Sequence, residues 1–231
     1  YPGAANCPII DKLSFSSIKH ILTRNEQGAA HMASGYARVT KQAGVCTATS
    51  GPGATNLITG IATAYMDSIP MVALTGQVAT KLIGKDAFQE VDITGATLPF
   101  TKHSYLIKDG LDIPRVVNEA FHIANTGRPG PVLIDFPMDL LKKEFDYPDE
   151  DEDVNIRGYK LMGKANESQV KKVAEAIKGA KKPVILAGGG VVISDATNEF
   201  RKFVKETDIP VVSTMMGIGI LPSDNPRYYG M

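Results

Sequence analysis

The stretch VCTATSGPGATNLITGIATAY, residues 45–65, decides how this chain folds. A short β-rich apolar run meets Ser50-Gly51-Pro52-Gly53, and a helical pattern with almost no charge follows. A strand that enters a helix through a glycine turn is half of a βαβ unit, and the same alternation recurs on both sides. Residues 17–22 (SIKHIL) precede a helical pattern over 26–38, 45–49 precede 54–65, and 103–107 (HSYLI) precede 113–125, with further strands at 71–76 (MVALTG) and 131–136 (PVLIDF). Strands spaced by helices predict an α/β fold with a parallel sheet and right-handed crossovers.

The alternation stops after Pro137. Residues 146–155, DYPDEDEDVN, hold six carboxylates and no helical stripe, which predicts an exposed acidic linker. A second doubly wound α/β domain then starts: helix 168–178, strand 183–190, helix 194–207, strand 210–219. The expected division is 1–145, linker 146–165, and 166–231. The last piece holds about two βα units, too few to close a core alone. The chain opens at Tyr1 and halts at Met231 after a turn-like stretch, so a fragment of a longer protein is expected.

With 231 residues, 43% of them hydrophobic, the chain can build a real core. Lys plus Arg and Asp plus Glu both number 25, so no net field draws nucleic acid or an anionic membrane. No apolar run reaches the roughly 18 residues of a spanning helix. Cys7 and Cys46 lie far apart without metal-ligand spacing, and both read as small buried hydrophobes. With no signal-like start, a reducing cytoplasm or organelle matrix is the expected compartment.

In open parallel sheets ligands bind beyond the carboxyl ends of the strands, so the residues after each strand are the candidates. After 17–22 comes Glu26, near a helix N-terminus, where a surface acid gains about 0.3–1 kcal/mol from the dipole. Gly28 and Gly35 each cost about 1 kcal/mol relative to Ala inside a helix, which predicts a close approach to that backbone. After 45–49 comes the bare turn, with Ser50 placed to cap the helix. It lacks the third glycine of a dinucleotide fingerprint, because Asn56 stands there. Such a turn suits either a tight strand-to-helix connection or a flat ring laid on backbone amides. After 71–76 comes a loop ending near Phe88 and Gln89, in which Phe88 reads as a core residue or a site residue. The four histidines, His20, His31, His103 and His122, show no metal-ligand spacing and read as structural or surface groups.

Taken in order, RNEQGAAHMASGYAR, the turn with its helix and following strand, GKDAFQEVD and TGRPGPVLIDFP resemble the thiamine diphosphate enzymes of the acetolactate synthase group. The resemblance covers the whole chain. It implies a pyrimidine-binding first domain, the start of a middle domain, and decarboxylation of pyruvate with transfer of the two-carbon unit to a second 2-oxo acid, a step of branched-chain amino-acid synthesis. By the same resemblance Glu26 hydrogen-bonds a ring nitrogen of the aminopyrimidine, which favours the tautomer whose exocyclic nitrogen removes the thiazolium proton; such a carboxyl should be shielded from water.

Tyr1, Pro2 and Gly3 match the loop beside the cofactor; Ser50, Gly51, Pro52, Gly53 and Asn56 match the turn against the pyrimidine. Gln89 matches a glutamine near the reacting centre, and Phe88 and Ala79 fall on the substrate channel. Arg128, Gly188, Gly189, Gly190, Thr214 and Met215 match residues along FAD. The implied partners are small 2-oxo acids, a second copy through the first domain, and a regulatory small subunit, with neither nucleic acid nor membrane. Ala4, Asn25, Ala79 and Met138 depart from the family's usual glycine, histidine, proline and lysine. The Gly-Asp-Gly…Asn segment that holds Mg2+ and diphosphate in the family is absent from these residues, so the chain as given is expected to be inactive alone. Two readings compete with this one: another carboligase or decarboxylase of the same fold, such as glyoxylate carboligase, and a catalytically dead dimerising module.

Overall fold

The computed structural model describes residues 1–146 and 154–231. Most of the expected acidic linker, residues 147–153, lies outside the described residues. The chain divides into two compact units, Tyr1–Leu161 and Met162–Met231.

The first unit runs α1 (Cys7–Ser14), α2 (Glu26–Thr40), β1 (Gly44–Ala48), α3 (Pro52–Asn56), α4 (Ile58–Met66), β2 (Met71–Gln77), α5 (Ile93–Thr97), β3 (His103–Leu106), α6 (Ile113–Asn125), β4 (Pro131–Pro137) and α7 (Met138–Leu141). Its sheet has the order β1-β2-β4-β3 with every pairing parallel. Strands β2 and β4 are buried almost throughout because helices cover both of their faces. Val72, Val132, Ile134 and Phe136 pack with Val116, Ala120 and Ile123 of α6. The alternate residues Met71, Ala73 and Leu133 point to the other face, where α2, α4 and the residue before α4 bring the buried Ala30, Ala33, Ile61 and Leu57. Ile156 and Tyr159 also pack against the α6 side of this core.

Several expectations change. Residues 17–22 form no strand; Ile18, Ile21 and Leu22 are 62–66% exposed, and among the described residues no strand lies along the outer edge of β1. β-Branched apolar residues give a segment β character, but without a neighbouring ladder a strand's backbone bonds have no partner. The helix expected over 54–65 is two helices meeting at the fully buried Leu57. Among the described residues a methyl group added at Gly28 or Gly35 would meet no atom within 4 Å beyond the neighbouring backbone of α2, so the expected close approach is not made there. It occurs instead at Gly60, which lies against Ala30. Cys46 is buried in β1, but Cys7 is exposed in the first turn of α1 rather than packed in the core. Burial pushes the Cys46 thiol up to about 12, so it stays protonated and inert.

The second unit contains α8 (Glu167–Gly179), β5 (Ile185–Ala187), α9 (Gly190–Ile193), α10 (Thr197–Thr207) and β6 (Val211–Ser213). Strands β5 and β6 are parallel, and Ala187, Val204, Val211, Ile220 and Leu221 form a small core. Helix α8 buries no residue, leaving Val170 and Val173 more than half exposed. Two βα units thus leave apolar surface uncovered. Among the described residues no helix is long and apolar enough to cross a membrane.

Candidate active site at the strand ends

Asn25 caps α2 from an extended backbone, its Oδ1 accepting the Gln27 N–H at 2.7 Å. That cap starts the helix at Glu26, a residue only 9% exposed at the carboxyl end of the sheet. Glu26 Oε2 accepts a hydrogen bond from Asn56 Nδ2 at 3.0 Å, so α2 and the end of α3 meet through these two side chains. Among the described residues no other hydrogen bond reaches this carboxylate.

The glycine turn lies beside it. Pro52 occupies the first turn of α3, where its missing N–H costs nothing. Ser50 is buried, but its side chain does not cap α3, contrary to expectation; its carbonyl instead accepts the Gly53 N–H. A Cβ at Gly53 would stand 2.7 Å from Thr49 Cγ2 and 3.4 Å from Glu26 Oε1. Gly3 is bare for the same reason, since a Cβ there would stand 2.5 Å from Thr49 Cβ. Gly51 has φ +58°, and a Cβ on it would stand 2.7 Å from the Gln89 carbonyl oxygen. The chain itself therefore requires the bare turn: Thr49 and the Gln89 backbone press on it. The structure brings Gly3, the turn, Glu26, Asn56 and Gln89 into one neighbourhood.

The N-terminal loop is held there by Asn6, a fully buried side chain. Its Nδ2 donates to the Tyr1 carbonyl and to Thr47 Oγ1, each at 3.1 Å, while its Oδ1 accepts the Gly3 N–H at 2.8 Å. Phe88 is 88% exposed and so is no core residue. Ala79 starts a short 3-10 turn, Thr80–Leu82, whose Thr80 N–H and hydroxyl both donate to Asp139. Met138 opens α7 at the end of β4.

Arg128 is not brought to this neighbourhood by its hydrogen bonds. It donates to Ser68 Oγ at 2.7 Å and to the Tyr65 and Met66 carbonyls, capping the end of α4, with its guanidinium 5.8 Å from the Tyr65 ring. In the second unit Gly188 faces Thr214 across β5 and β6, the Thr214 N–H donates to the Ala187 carbonyl, and Met215 is 72% exposed. His20, His31 and His103 are exposed and His122 half-buried against Tyr159. Among the described residues no group of three or more His, Cys, Asp or Glu side chains could hold a metal.

Sequence reasoning missed a buried polar set. Asp135 on β4 is 1% exposed, and accepts from Thr75 Oγ1 at 2.7 Å and Gln77 Nε2 at 2.8 Å. The signal was a polar residue at alternate positions of LTGQ and LIDF, legible once the register sets Thr75 opposite Asp135. Burial pushes the Asp135 carboxyl up to about 7, against the downward pull of its two hydrogen bonds, and the Asp92 charge adds to the rise. An acid with a raised folded pKa contributes stability that is complete below its unfolded value and is lost as pH rises through the folded one. Unfolding free energy should therefore fall between about pH 4 and pH 7 from this group, and Asp135→Asn should flatten that slope. Denaturant titrations at several pH values across this range measure it; an unchanged slope in the variant would rule Asp135 out as its source.

These features define a class. Residues 1–96 match the family model of the thiamine pyrophosphate enzymes' N-terminal TPP binding domain, and residues 170–231 match that of their central domain. The chain belongs to the thiamine pyrophosphate enzymes. Within that family it is 53% identical to a probable acetolactate synthase large subunit of Methanocaldococcus jannaschii, 52% to an acetolactate synthase of Mycobacterium bovis and 49% to an acetolactate synthase large subunit of Corynebacterium glutamicum. Each match takes in all of this chain and 39%, 37% and 37% of the respective relative. The chain thus spans about two fifths of the length of the curated relatives it matches.

Proposed function

We propose that the protein containing this chain is an acetolactate synthase large subunit, which decarboxylates pyruvate and joins the two-carbon unit to a second 2-oxo acid in branched-chain amino-acid synthesis. The observation that carries this reading is the Glu26 carboxylate, shielded, bonded once by Asn56, and set against a turn without side chains. Identity of about half with proteins named acetolactate synthase supports it over glyoxylate carboligase or an inert dimerising module.

The residues present fit thiamine diphosphate, which when bound supplies a thiazolium carbon able to give up a proton and stabilise the resulting carbanion. Glu26 would hold a proton at the aminopyrimidine ring nitrogen with Oε1, while Asn56 fixes Oε2. Tyr1, Pro2 and Gly3 with Ser50, Gly51, Pro52 and Gly53 would wall the ring; Gln89 would orient the 2-oxo acid, and Phe88 and Ala79 would line its approach. For FAD the fit is divided. Gly188 and Gly190 offer open backbone, together with Thr214 and the exposed Met215, whereas Gly189 packs on Met216 and Arg128 is engaged at the α4 terminus. FAD would be structural in this reading, and the Mg2+ and diphosphate ligands would come from outside these residues.

The assembly belongs to the same reading. Met32, Tyr36 and Val39 form an exposed apolar stripe at helical spacing on α2, which supports a homodimer made through the first domain. The name "large subunit" in the relatives supports a small regulatory partner, and the compartment proposed is the cytoplasm or an organelle matrix. The test is direct: the complete protein with thiamine diphosphate, Mg2+, FAD and pyruvate should release carbon dioxide and form acetolactate. Turnover of glyoxylate in place of pyruvate would favour the carboligase reading, and turnover of neither would sink both.

A further inference from the structure

The loop of residues 78–92 carries Gln89 to the glycine turn, and both of its ends are tied to one side chain. Gln77, the last residue of β2, is 4% exposed. Its Oε1 accepts the N–H of Val78, where the loop begins, at 2.8 Å. Its Nε2 donates to the carbonyl of Val91, near where the loop ends, also at 2.8 Å. The remaining Nε2 hydrogen goes to Asp135 Oδ2, so the amide's donor and acceptor sides are both assigned. A flipped amide would set a donor against the Val78 N–H and an acceptor against two acceptors, losing all three bonds. Asp135, itself oriented by Thr75, fixes which way the amide lies.

We propose that Gln77, oriented by Asp135, is a positioning residue that staples the two ends of this loop and thereby sets Gln89 against Gly51. The proposal rests on the reading of Gln89 as a residue at the reacting centre. Other ties within the loop act locally: Glu90 accepts from the N–H groups of Gly84 and Ala87, and Asp139 holds Thr80. Among the described residues only Gln77 joins entry to exit. The Gln89 backbone stands at φ +57°, a left-handed conformation that closure of the loop must hold in place. A displacement of about 1 Å at a reacting group is enough to cost on the order of 10²-fold in rate.

The experiment uses the complete enzyme. Gln77→Met keeps the length of the side chain and removes its polar bonds, and should lower kcat on the order of 10²-fold with a smaller change in KM. In a Gln89→Ala background the same substitution should have no further effect on kcat, because Gln77 acts through Gln89. Asp135→Ala should behave as Gln77→Met does, whereas Asp135→Asn, whose amide can still accept from Gln77 and donate to Thr75, should recover most of kcat. Wild-type kcat in Gln77→Met, or effects that multiply with Gln89→Ala, would overturn the staple while leaving Gln89 in its role. Wild-type kinetics in Gln89→Ala would overturn the underlying reading, and the staple with it. Should Gln77→Met not fold, hydrogen exchange of the wild-type protein decides: the Val78 amide should exchange as slowly as the β2 amides, and exchange at the rate of the exposed loop overturns the proposal.

Discussion

In the complete enzyme Glu26→Gln should lower kcat by about 10² to 10⁴-fold while the protein folds as before. The fold is expected to hold because the cap of α2 belongs to Asn25, not to Glu26. Asn56 can still donate, now to the amide oxygen of the new side chain. What stability is lost is the acid's favourable place in the first turn, about 0.3–1 kcal/mol. The chemical loss is larger, because an amide of the same shape cannot take and return a proton at a ring nitrogen. Two readouts separate binding from chemistry: kcat with saturating thiamine diphosphate, and the rate at which the thiazolium proton exchanges with deuterium. Slow exchange with retained cofactor affinity is the expected pair. Wild-type exchange in the variant would remove Glu26 from the reaction.

The parts of this molecule that could be read from the sequence are those set by local pattern. The helical spacing over 113–125 reappears as α6, Ile113–Asn125, and the runs at 71–76 and 131–136 become β2 and β4 with one added residue each. The glycine turn was legible as the neighbour of a strand end, which is where a parallel sheet places its ligands, whereas Glu26 was singled out beside a strand over 17–22 that does not form. The failures share a physical cause, namely that the deciding partner lies far away in sequence. Residues 17–22 have the β-branched, apolar composition of a strand, but a strand exists only beside another, and composition says nothing about which edge is open. Gly28 and Gly35 looked like points of close approach, whereas Gly60 has one because α4 crosses α2 at Ala30. The turn was bare for a reason found thirty-odd residues on, in the Gln89 backbone. Thr75, Gln77 and Asp135 read as interruptions of two apolar runs until the parallel register joined them into a network.

The turn supplies the second large effect. Gly51 holds φ +58° and ψ −119°, a conformation that a residue with a Cβ adopts only under strain. In Gly51→Ala the new methyl would stand 2.7 Å from the Gln89 carbonyl oxygen and 2.9 Å from Gln89 Cβ. Backbone strain of about 1–3 kcal/mol and overpacking of similar size are the expected costs. Relief has two routes, a rearranged turn or a displaced loop. The loop is held at both ends through Gln77 and the turn is held by Thr49 and Pro52, so either route disturbs the neighbourhood of Glu26. Stability and turnover should therefore fall together. Gly53→Ala is the internal comparison: its backbone has no positive φ, and its nearest obstacle is the Thr49 methyl, the end of a side chain that can rotate. That variant should lose less stability than Gly51→Ala, yet it should still lose turnover because its methyl points at Glu26 Oε1, 3.4 Å away. Chemical denaturation and kcat measured on both variants separate the two cases. Wild-type stability and turnover in Gly51→Ala would mean that Gln89 does not rest on the turn, and the link between loop and turn would have to be abandoned.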